Sequence, residues 1–115
     1  MRRIPRKSVR GKREKYDVNA EYDYPRPLWA IEDAEAEMFD RVWFMRNTVF
    51  VEDEKGKLVL MPKYEAGASS VESLIEKYKG VKNLVPEDDF ECGMWNGKLS
   101  ALRWVLGSEW DFLDT

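Results

Sequence analysis

The chain has 115 residues, 43% hydrophobic and 13% aromatic, which is enough to bury a core and too apolar for a wholly disordered protein. It holds 19 Lys and Arg against 22 Asp and Glu, a net charge of −3, with no His and a single Cys. That composition excludes an internal disulfide framework and argues against a zinc site. It also removes the side chain that most often serves as general base or proton shuttle.

The net charge conceals an asymmetry. Residues 1–15, MRRIPRKSVRGKREK, carry eight Lys or Arg and one Glu, whereas the rest carries eleven basic and twenty-one acidic residues. Pro5 and Gly11 oppose a helix here, so the pattern predicts an extended basic arm over 1–15 and a single globular helical domain over 16–115. Arg2, Arg3, Arg6, Lys7, Arg10, Lys12, Arg13 and Lys15 suit phosphate contacts driven by counterion release, which are insensitive to base sequence and sensitive to salt. No aromatic side chain interleaves them, so stacking on single strands is not expected. Nucleic acid or a ribonucleoprotein is the expected partner. An acidic protein surface, the chain's own acidic body and a solubilising tail are the alternatives. No apolar stretch follows the N-terminal arginines and no run is long enough to span a bilayer, so the expected setting is cytoplasmic without a membrane.

Residues 16–28, YDVNAEYDYPRPL, alternate aromatic and acidic residues, and Tyr16, Tyr22 and Tyr24 are expected to lie across the globular body. Pro25 and Pro27 lead into a first helix over about Trp29 to Arg46. Its apolar stripe is Ile31, Ala34, Met38, Val42 and Met45, widened by Phe39 and Trp43. Residues 48–61, TVFVEDEKGKLVLM, support two readings: a β-hairpin turning at Asp53 to Gly56, or a continuation of the first helix to about Glu54. The second helix is marked by a capping-box pattern, Ser69 with Glu72, by the stripe Val71, Leu74, Ile75 and Tyr78, and by a stop at Gly80.

A third helix is expected from Pro86 to Leu106. Phe90, Gly93, Met94, Gly97, Ala101, Trp104 and Val105 fall on one broad face of it, and Trp95, Leu99, Leu102 and Leu106 on a neighbouring one. Together they predict a central, largely buried helix, with Gly93 and Gly97 admitting a closely crossing element. Gly107 should reverse the chain so that Trp110, Phe112 and Leu113 fold back. Lys98 or Arg103 would then hold the tail through Asp111 or Asp114, unless both simply pair with nearby carboxylates.

Evidence for catalysis is thin. Cys92 lies among acids that disfavour a thiolate and is expected to be a small core residue. There is no P-loop or dinucleotide fingerprint. Glu32 with Glu35, Glu37 with Asp40, and the group Asp88, Asp89 and Glu91 raise a metal-dependent hydrolase as a minor reading, although acids at helix starts are expected from the dipole alone. No cofactor or metal is expected. Of the five tryptophans, Trp29 and Trp110 border helix ends and are the candidates for exposed protein-binding anchors.

The run GMWNGKLSALRWVLGSEWDFLDT resembles the C-terminal signature of a group of small bacterial and mobile-element proteins. IEKYKGVKNLVPEDDFEC before it is similar, and FDRVWFMRN is a looser match. The group carries no assigned activity, so the resemblance implies a compact, mainly helical domain and transfers no catalytic role. Taken together, the sequence predicts a mainly α, three-helix domain with a short hairpin near 48–61. The expected function is a non-catalytic binding protein that docks through its arm, with a protein–protein adaptor or inhibitor using the aromatic body as the alternative.

Overall fold

The computed structural model describes residues 19–21 and 25–110. The basic arm and its eight cations, Tyr16, Tyr22 and Tyr24, and the tail residues Asp111, Phe112, Leu113 and Asp114 lie outside the described residues. The domain is mainly α: α1 (Leu28–Arg46), the strands β1 (Thr48–Glu52) and β2 (Leu58–Pro62), α2 (Ala68–Lys77) and α3 (Asp89–Val105), with 3-10 turns at Glu65–Gly67 and Val81–Asn83.

Helix α1 starts after Pro27, whose carbonyl accepts from the Ala30 amide at 3.0 Å. The helix ends at Asn47, whose side-chain amide donates to the Trp43 carbonyl at 2.8 Å, and the Thr48 hydroxyl closes the Phe44 carbonyl at 2.8 Å. These two side chains add a second bond to carbonyls that the Asn47 amide already reaches at 3.0 and 3.2 Å, and the chain passes directly into β1. The hairpin reading of 48–61 is therefore the correct one.

The strands pair antiparallel with Phe50 opposite Leu60 and Val51 opposite Val59. The turn is held by Asp53, whose Oδ1 accepts from the amides of Lys55 and Lys57, both at 2.9 Å. Gly56 has φ +78°, the left-handed position that a three-residue hairpin loop demands.

Helix α2 begins two residues earlier than the Ser69 cap implies. Gly67 occupies the N-cap without a side-chain bond, and Ser69 lies inside the helix. Packing explains the shift: a Cβ built on Gly67 would lie 3.7 Å from the Trp43 ring, so that glycine rests against α1. At the other end the left-handed residue is Lys79 (φ 59°), with the Gly80 amide donating to the Ile75 carbonyl at 2.9 Å. This is a Schellman motif displaced by one residue from the glycine that signals it.

Helix α3 begins at Asp89 rather than at Pro86. Asp88 is the N-cap, its Oδ1 accepting from the Glu91 amide at 2.9 Å, while Glu91 reaches back to the Glu87 amide at 2.8 Å. A reciprocal side-chain cap outcompetes the preference of proline for the first turn.

The core has two parts, on two sides of α1. Val42, with Met38 and Met45, meets Trp95 and Leu99 of α3. Phe44 meets Val71 of α2 and Leu84, with Trp43, Leu60, Leu74, Ile75, Tyr78 and Val85 around them. The central helix is thus α1, and the expectation that α3 is buried on most sides is overturned. No helix among the described residues is long and apolar enough to cross a membrane.

Candidate functional site

Helix α3 buries only the stripe that contains Trp95 and Leu99. Its opposite face is Phe90, Gly93, Met94, Gly97, Ala101, Trp104 and Val105, and every one of these residues is exposed. Phe90 is 75% exposed and Trp104 52%. The close crossing expected at the glycine pair is absent: no atom of the described residues lies within 4 Å of a Cβ built on Gly93 or Gly97. The reason lies in the topology, since among the described elements α1 is the helix that packs on α3 and it takes the other side. The periodicity of the sequence assigned this face correctly as apolar and could not say that no element of the described fold reaches it.

At the end of α3, Gly107 (φ +111°) reverses the chain, with the Ser108 amide donating to the Arg103 carbonyl at 2.9 Å. Trp110 returns to α3 and meets Trp104 edge to face, ring centroids 5.3 Å apart at 89°. Such a pair adds roughly 0.5–1.5 kcal/mol beyond its buried area. Both rings stay open to solvent, Trp110 at 64%. Of the two tryptophans expected as anchors, Trp110 is exposed. Trp29 is not: at 7% exposure it belongs to the core, while Leu28 before it faces solvent. The sequence reading missed Trp104, which it assigned to the core, and Phe90.

A groove of about 610 Å³ runs along one side of the α1–α3 seam, floored by Ala30, Ile31, Ala34, Met38, Trp95 and Leu102. Arg41 and Lys98 stand at its edge with Glu37 and Glu91. The Arg41 guanidinium carbon lies 5.2 Å from the Trp95 ring centroid and 5.6 Å from that of Tyr78, so it joins the two halves of the core. One of its nitrogens donates to Glu37 at 3.2 Å and another to the Asn83 carbonyl, while Nε is buried without a hydrogen-bond partner. Beside it, Asp40 accepts from the Tyr78 hydroxyl and from Lys77 Nζ, each at 2.8 Å. Burial, and then the bond to Asp40, push the Tyr78 phenol far above its ordinary range, so it remains a donor.

Five of the seven carboxylates considered for a metal have structural partners. Glu35 holds Arg103 at 3.1 Å, Glu37 holds Arg41, and Asp40 holds Lys77 and Tyr78. Asp88 and Glu91 cap α3. Among the described residues no group of three or more His, Cys, Asp or Glu is placed to hold a metal ion. Arg103 bonds Glu35 of α1 and Lys98 stands exposed beside the groove, while Asp111 and Asp114, the tail partners expected for them, lie outside the described residues. Cys92 is half-buried in the α1–α3 seam, its Sγ 3.1 Å from the Met45 sulfur.

A second apolar surface lies on the hairpin. Leu60 packs toward the core, which turns Val49, Val51, Val59 and Met61 to the opposite side of the sheet, where all four are exposed. A two-stranded sheet with one bare apolar side depends on its attachment to the helices for stability. Comparison of the chain with protein-family models, with curated proteins and with solved structures finds no match.

Proposed function

We propose that the protein is a non-catalytic docking module whose folded body binds a protein partner through the outward face of α3. The observation that carries this reading is the contiguous exposure of Phe90, Met94, Trp104, Val105 and Trp110. Apolar surface of this kind is costly to leave in water and marks interaction sites, and tryptophan is the residue type most enriched at binding hot spots. The absence of histidine from the chain and the structural employment of its helical carboxylates favour binding over catalysis.

The basic arm favours a second reading, in which Arg2, Arg3, Arg6, Lys7, Arg10, Lys12, Arg13 and Lys15 hold nucleic acid or a ribonucleoprotein. Cross-linking from position 104 and affinity capture separate the two. On the docking reading, Trp104→Lys with Trp110→Ala abolishes capture of the partner, and deletion of residues 1–15 leaves it intact. Capture indifferent to the tryptophans and lost on deletion or in raised salt overturns the docking reading in favour of the arm.

A further inference from the structure

We propose that the groove on the α1–α3 seam binds a small amphipathic acid, its apolar body lying along Ala30, Ile31, Ala34 and Leu102 and its carboxylate held by Lys98 and Arg41. This site is separate from the outward face of α3 and from the basic arm.

The floor of the groove suits an apolar body. Where Val42 of α1 meets Trp95 and Leu99 of α3, large side chains fill the seam. Towards the start of α1 the residues are small, Ala30 and Ala34 on one helix and Ala101 on the other, and the seam stays open. The space of about 610 Å³ falls within the roughly 300–1,000 Å³ of small-molecule sites. From Ala30 to Met38 the floor runs for about 12 Å along the helix axis, so it accepts an extended chain rather than a compact ring system.

The charges around it select the sign of the head group. Glu37 is paired with Arg41, and Arg26 donates to the Ala20 carbonyl. Glu91 accepts from the Glu87 amide at the start of α3. It stands seven residues from Lys98, about 10 Å along the axis, which exceeds the screening length of about 8 Å at physiological salt. Among the described residues Lys98 has no hydrogen bond or ion pair, and it is exposed at the rim. Arg41 adds a second unmet demand on the same groove, because its Nε is buried with no acceptor. A buried donor left without an acceptor is costly. A carboxylate answers both groups, since it neutralises Lys98 and brings the acceptor that Arg41 lacks. An alkylamine of the same length brings neither and places like charge beside Lys98.

Calorimetric titration of the full chain with decanoate and with decylamine tests the proposal, each kept below the concentration at which it forms micelles. Decanoate is expected to saturate one site per chain, and decylamine to bind at least about tenfold more weakly. Lys98→Glu is expected to weaken decanoate about tenfold, with folding followed by circular dichroism. Ala34→Phe, which fills the floor, is expected to abolish binding. Lys98 is exposed, so its variant decides the question even if Ala34→Phe disturbs the helix pair. The proposal is overturned if wild type shows no saturable decanoate binding, if decylamine binds as tightly, or if Lys98→Glu binds like wild type. Binding that survives Ala34→Phe and is lost in Trp104→Lys also overturns it, by placing the acid on the α3 face. Binding that appears only after deletion of residues 1–18 overturns it too, and identifies the chain's own N-terminal segment as the occupant of the groove.

Discussion

Gly93 and Gly97 show how a residue's surroundings decide its meaning. Both lie inside α3, where glycine costs about 1 kcal/mol relative to alanine, and a Cβ added at either would meet no described element packed across it. Gly93→Ala is therefore expected to stabilise the dilute protein by about 1 kcal/mol, read as a higher denaturation midpoint. Had another element crossed there, the same change would destabilise. Tyr78 gives a second expectation, on pH. Its folded-state pKa is raised above the unfolded value of 10.0, so its contribution is complete below pH 10 and declines as pH rises further, when only the unfolded chain loses its proton. A phenolate titration should show a component ionising well above the ordinary phenol range, absent in Tyr78→Phe. In Tyr78→Phe the alkaline loss of stability should be shallower.

Among the elements, the ends of the helices were the least legible. Ser69 and Glu72 have the spacing of a capping box and do not cap, because the contact of Gly67 with Trp43 starts α2 earlier. The cap of α3 is made by Asp88, while Pro86, the stronger sequence signal, lies outside the helix. Asp88→Ala should accordingly cost about 1 kcal/mol, measurable by thermal or urea denaturation, whereas Ser69→Ala should cost much less. The hairpin was legible as one of two readings, and the side-chain bonds of Asn47 and Thr48 at the end of α1 decide between them. Those bonds depend on where the helix stops, which periodicity alone does not fix.

At the scale of the molecule, α1 is the shared wall of two core clusters that have no residue in common. Phe44, fully buried, anchors one cluster, and Leu99, 1% exposed, the other. Phe44→Ala is expected to cost about 3–5 kcal/mol and Leu99→Ala about 2–5 kcal/mol. Because the clusters are separate, the double variant should lose close to the sum, a result that chemical denaturation of the three variants checks directly. A large deviation would show that Arg41, which touches Trp95 on one side and Tyr78 on the other, couples the two halves.

The sequence by itself determined the three helices, their apolar stripes and the reversal at Gly107, because these follow from local periodicity and backbone preference. It also determined the charge asymmetry of the chain, which needs no fold to be read. The tertiary structure alone decided which apolar stripes meet. Two stripes on α3 are apolar in the sequence, and α1 covers only the one bearing Trp95 and Leu99. The other, with its glycines and aromatic rings, stays in solvent. Hydrophobicity states that a face gains by being covered. Only the path of the chain states whether the described fold covers it or leaves it to a partner.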